Sequence, residues 1–128
     1  MHRDIARLIV SILSFAAGSF PVHADGDPAR GARIFTCGGC HTVTSDRALI
    51  GPSLQGIVGR HAATRPGYIY SAALKEAGEK GLVWTEANLA EFAKSPKDKV
   101  PGTKMPYFPL DDQKIADIIA YLRSDPKP

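Results

Sequence analysis

No stretch of this chain alternates apolar and polar residues with period two over a useful length, so no substantial β-sheet is expected. Internal repeats and low-complexity segments are also missing, which leaves 128 residues for one domain. No basic run is interleaved with aromatic residues, and a net charge of +3 is too small to argue for nucleic acid. The apolar run at residues 8–20 falls short of the roughly 20 residues that span a bilayer, so no stable membrane insertion is expected. Cysteine, methionine and tryptophan are scarce, at 2, 2 and 1 residues. Glycine and proline are plentiful, and their 12 and 10 residues predict several sharply turned, fixed loops.

The apolar run follows a basic start at Arg3 and Arg7, and Val22-His23-Ala24 offers small residues at both positions that a signal peptidase reads. Residues 1–24 are therefore expected to be a secretory signal peptide, and residues 25–128 a mature, exported domain.

Both cysteines lie in one motif, CGGCH at residues 37–41. Two thiols held two residues apart with histidine directly after is the spacing of c-type haem attachment. Each thiol adds across a haem vinyl group to form a thioether, and the histidine imidazole supplies an axial nitrogen to the iron. Three plainer readings fare worse. A redox dithiol expects a neighbouring strand-helix-strand pattern, which is absent. A zinc site needs a fourth nitrogen or sulfur ligand, and beyond residue 24 the remaining histidine, His61, stands alone. A structural disulfide explains neither His41 nor the long irregular loops.

The second axial ligand decides the chemistry, because an open iron position allows ligand binding or peroxide reactions, whereas a filled one favours electron transfer. Met105 is the candidate: it lies in a proline-braced loop, PGTKMP at residues 101–106, rather than on an apolar helix face. A thioether ligand stabilises the reduced iron and raises the potential. His61 is the competing ligand, and its simpler reading is a solvated loop histidine.

Helical signals frame these motifs. Asp27-Pro28 reads as an N-cap with proline at the first helical position, and this helix should end as it reaches Cys37. Ser71 caps a short helix stopped at Gly78, and Thr85 caps another with Leu89, Phe92 and Ala93 inward, ended by Pro96. Asp111 or Asp112 caps the last helix, in which Ile115, Ile118, Ile119 and Leu122 follow the helical period. Residues 42–67 carry no periodicity, and a loop wrapped on a rigid ligand accounts for so long an irregular stretch.

From Pro28 to Ser124 the chain resembles a class I c-type cytochrome, of the mitochondrial-like kind found in bacteria as soluble periplasmic carriers. The resemblance rests on GARIF at residues 31–35, CGGCH, Gly51-Pro52, Gly59-Arg60, PGYIY at 66–70, Trp84, PGTKM at 101–105 and IAYL at 119–122. It implies a small all-α cytochrome c fold, with four to five helices and long loops around one haem c. Carried over residue by residue, it implies covalent attachment through Cys37 and Cys40 and axial ligation by His41 and Met105. It implies a hydrogen bond from His41 to the Pro52 carbonyl, and propionate donors at Arg60, Tyr70, Trp84 and Thr103. Two departures stand out: Phe92 replaces a tyrosine whose hydroxyl would reach the methionine sulfur, and Leu74 replaces a polar asparagine.

The expected function is single-electron shuttling between membrane respiratory or photosynthetic complexes, without enzymatic activity. Lys94, Lys97, Lys99 and Lys104 gather around the Met105 loop and would steer acidic redox partners. A monomer is expected. If Met105 does not bind iron, the alternative is a haem peroxidase or a gas-binding sensor cytochrome.

Overall fold

The computed structural model describes residues 25–126. The expected signal peptide lies outside the described residues. Among the described residues five α-helices and one 3₁₀ turn follow in order: α1 (Pro28–Ile34), the turn (Thr36–Gly39), α2 (Ala72–Glu79), α3 (Glu86–Lys94), α4 (Pro96–Lys99) and α5 (Asp112–Arg123). Among the described residues the only strand-like pairing is one antiparallel bridge between His61 and Val83.

Helix starts follow the side chains that satisfy their orphan amides. The Asp27 carboxylate accepts from the Arg30 amide, with Pro28 in the first turn of α1. Ser71, Thr85 and Asp111 accept in the same way from Leu74, Asn88 and Lys114. Of the two candidate caps for α5, Asp111 is the one used, which leaves Asp112 to interact with the helix dipole.

One helix expectation needs correction, and one helix was not expected. Helix α2 runs through Gly78 instead of stopping there. A Cβ at Gly78 would lie 2.5 Å from the Ala62 carbonyl oxygen, so glycine at this position serves close approach of two backbones. The stop comes at Gly81, whose φ of 91° only glycine adopts readily. Pro96 ends α3 and also opens α4, because proline at a first helical turn gives up no intrahelical hydrogen bond.

The first and last helices cross at a point set by one glycine. A Cβ at Gly31 would fall 2.0 Å from the Asp117 carbonyl oxygen and 2.9 Å from the Tyr121 Cβ. Without a side chain there, α1 lies directly on α5, and Phe35 meets the Tyr121 ring edge-on at 5.6 Å. Beside this contact the Asp117 side chain is 1% exposed. Its carboxylate accepts from the Arg30 guanidinium, from the Asp27 amide at 2.8 Å and from the Gln113 amide at 3.0 Å. The bond from Arg30 is the main reason that its pKa lies well below the ordinary value of 3.8.

On its other face α5 turns Ile118 and Leu122 onto Ile57, Ala62 and Trp84. Each of the two is 6% exposed, and its burial contributes roughly 2 kcal/mol. The segment 59–62 pairs with 82–84 through Gly59 N–H to Trp84 O, Trp84 N–H to Arg60 O and Ala62 N–H to Leu82 O, each at 2.8 Å. Arg60 and Trp84 are thereby held side by side.

Gly31→Ala is expected to cost roughly 3 kcal/mol in denaturant unfolding, since neither backbone at the crossing can retreat freely. Asp117→Asn should lower the melting temperature at pH 7. The folded Asp117 carboxyl holds its proton less tightly than the unfolded one, so its contribution is complete above about pH 4 and fades as pH falls further. The gap in melting temperature between wild type and variant should narrow between pH 4 and pH 2, and a constant gap would count against this assignment.

Candidate functional site

The 3₁₀ turn after α1 folds the CGGCH motif back on itself, with the Cys40 and His41 amides both donating to the Cys37 carbonyl at 2.9 Å. No disulfide joins Cys37 and Cys40. The loop that follows closes on the turn: the Gly51 amide donates to Cys40 O and the Leu54 amide to Thr42 O, each at 2.8 Å. This closure delivers Pro52 to the histidine, whose Nδ1 lies 2.7 Å from the Pro52 carbonyl oxygen. A Cβ at Gly51 would lie 2.2 Å from the ring atom Cε1, so only glycine leaves room for the imidazole.

Burial lowers the His41 pKa, and the Pro52 hydrogen bond offsets that in part. The neutral ring donates Nδ1–H to the carbonyl and keeps its Nε2 lone pair for a metal.

Met105 reaches the site from the loop between α4 and α5. Val100, 2% exposed, anchors the start of that loop. The Thr103 amide donates to Val100 O at 3.0 Å, around Gly102 at φ 87°. The Thr103 hydroxyl then accepts from the Met105 amide at 3.3 Å. Met105 is consequently held by its own loop, which is anchored at Val100 on the end of α4.

Both segments open onto one cavity of ≈ 380 Å³. Every residue singled out in the sequence as haem-binding lines it: Cys37, Cys40, His41, Pro52, Arg60, Tyr70, Trp84, Thr103 and Met105. The rest of the wall is mostly apolar, with Leu54 and Ile57 from the long loop, Leu89 and Phe92 from α3, and Ile115, Ile118, Ile119 and Leu122 from α5. Phe92 tilts against Trp84 at 5.1 Å and brings no hydroxyl to the Met105 side. Leu74 also faces the cavity, as an apolar residue where an amide was the alternative. His61 lies on the wall too, exposed, with its backbone committed to the bridge to Val83.

Sequence reasoning missed the rim and one cation. Ile50 and Ile69 line the mouth at 79% and 89% exposure, in loops without any periodicity to mark them. Arg65 stands behind the wall, with its amide on the Tyr70 hydroxyl at 3.2 Å. Of the four lysines near the Met105 loop, Lys94 is tied to Asp112 at 2.8 Å and Lys99 to Glu91 and Asn88. Lys97 and Lys104 make no ion pair among the described residues, and Lys104 lies at the cavity.

A thiol pair on the rim, a neutral imidazole held by a carbonyl, a thioether loop and apolar walls with cations at one side fit a flat, carboxylate-bearing metal macrocycle. The comparisons agree. The family model for cytochrome c matches residues 28–125. Cytochrome c2 of Rhodopila globiformis is 47% identical over 102 residues, which span 77% of this chain and 93% of that protein. Cytochrome c2 of Blastochloris viridis is 38% identical over 120 residues, covering 91% of each chain. The solved structure of cytochrome c2 from Rhodospirillum centenum superimposes with a TM-score of 0.73 at 37% identity, over 80% of this chain and 100% of that one. Among the described residues no helix is long and apolar enough to cross a membrane. The chain belongs to the cytochrome c family and is an electron-transfer protein with covalently attached haem c.

Proposed function

We propose that the chain is an exported, periplasmic single-electron carrier whose iron is held by His41 and Met105. The observation that carries this reading is the single cavity lined by both a carbonyl-fixed imidazole and a loop-fixed thioether. Bound haem supplies a one-electron couple between ferric and ferrous iron. The protein residues do the rest. Cys37 and Cys40 bind the group covalently, and His41 is kept neutral and oriented by Pro52 and Gly51. The apolar wall excludes water, and rigid ligands keep the reorganisation on electron transfer small. Arg60, Tyr70, Trp84 and Thr103 hold the haem carboxylates, which cost several kcal/mol to bury without donors.

A filled sixth position separates a carrier from a peroxidase or gas sensor. The wild type is expected to show the near-infrared absorption of ferric haem-methionine, and Met105→Ala should abolish it and lower the potential. A wild type without that band would favour the enzyme or sensor reading instead.

The partners proposed are acidic redox proteins, a membrane reductase on one side and an oxidase, reductase or reaction centre on the other. Lys97 and Lys104 supply the steering charge, because Lys94 and Lys99 already have carboxylate partners. Exposed charges of this kind act mainly on the association rate and are screened by salt. Stopped-flow oxidation by an acidic redox partner should therefore slow as salt rises. Lys97→Glu with Lys104→Glu should reduce the low-salt rate about tenfold, whereas Lys94→Glu should matter less. Equal effects at all four lysines would remove the special role of the unpaired two.

A further inference from the structure

Arg60 and Arg65 grip the same two residues. Arg60 donates to the backbone carbonyls of Gln55 at 2.8 Å and Ser53 at 3.0 Å. Arg65 donates to the side chains of the same pair, Ser53 Oγ at 3.2 Å and Gln55 Oε1 at 3.3 Å. Ser53 is fully buried, so both guanidiniums are drawn inward against one short segment. Neither has a carboxylate within ion-pair distance among the described residues, whereas Arg30 has two and Arg123 has one. The Arg65 Nε is buried and has no hydrogen-bond partner.

Two partly buried cations side by side repel, and the repulsion is visible in Arg60: burial first, and the charge of Arg65 second, lower its pKa. The turn joining them is itself strained, since Ala63 adopts φ 58°, a left-handed conformation that is unfavourable for a residue with a Cβ. That turn delivers the Arg65 amide to the hydroxyl of Tyr70, a cavity-wall residue only 8% exposed. The like-charge repulsion is offset if an anion lies against Arg60 on this wall, and haem brings two carboxylates.

We infer that Arg65 is a positioning residue for the haem carboxylate at the Arg60–Tyr70 wall and that its charge raises the reduction potential. This rests on the haem reading of the cavity. The Arg65 side chain acts through its neighbours: its guanidinium holds Ser53 and Gln55, and its charge doubles that of Arg60, while the contact with the Tyr70 hydroxyl belongs to the backbone amide at this position. A positive charge beside the haem disfavours ferric iron, which carries one more positive charge than ferrous iron. The other titratable groups on the segments packed here are His61, Tyr68 and Tyr70, while Asp125 reaches the same stretch at the Gly56 amide.

Redox titration of the purified holoprotein tests this, with the optical spectrum as a control on ligation. Arg65→Gln should lower the midpoint potential with the haem bands unchanged, and Arg65→Lys should retain most of the wild-type value. Equal potentials in wild type and Arg65→Gln, or equal losses in Gln and Lys variants, would overturn the proposal. Should the Gln variant fail to accumulate, Arg65→His serves, because its charge is present at pH 5 and absent at pH 9. Its potential should fall more steeply over that range than the wild type's, and parallel curves would sink the idea. A wild-type potential that varies with phosphate at constant ionic strength would assign the anion to solution and overturn the haem-carboxylate role. A spectrum without haem-methionine features in the wild type would instead count against the ligation reading, so the two failures are distinguishable.

Discussion

Everything in this protein is arranged around a flat apolar ligand that the chain must enclose. The most completely buried side chains are Asp117, Pro96 and Ser53, none of them a large hydrocarbon. The large hydrocarbons of α3 and α5 converge instead on the haem cavity. A chain of this length makes a modest core by itself, so haem c is a structural component as well as the redox centre. The irregular segments follow from that demand, because a loop can follow the outline of a disc where a straight helix cannot.

What holds the enclosure together lies outside it. The crossing of α1 and α5 requires a residue without a side chain at Gly31 and buries one carboxylate beside it. Asp117 ties the Arg30 guanidinium, the Asp27 amide and the Gln113 side chain to one point. The first and last helices are thereby fastened together, and the CGGCH turn emerges from α1 in a defined direction. A buried carboxylate is costly unless its lone pairs are occupied, and here the partners come from both helices and the cap.

Charge is distributed unequally around the cavity. Near the Met105 loop two lysines are neutralised by acids of α3 and α5 and two are not. At the Arg60 side two guanidiniums share Ser53 and Gln55 without an acid of their own. The first arrangement faces solvent, where salt screens it, and the second is partly buried, where a charge is screened less.

The parts of this protein legible in the sequence are those whose cause is local in the chain. Spacing within CGGCH, the capping side chains at Asp27, Ser71 and Thr85, and the helical period of α5 each depend on residues a few positions apart, and each was correctly read. The end of α2 was misread because Gly78 answers to the Ala62 backbone, and α4 was missed because Pro96 can close one helix and open another. Arg65 was illegible for the same reason: its meaning comes from Ser53, Gln55 and Tyr70, and nothing in the order of residues says that two arginines five positions apart will share the same two acceptor residues. The sequence by itself determined the attachment chemistry, the starts of four of the five helices and the family resemblance. The tertiary structure decided which loops and charges meet, because contacts such as Arg30 with Asp117, 87 residues apart, are selected by burial and loop closure and have no local signal.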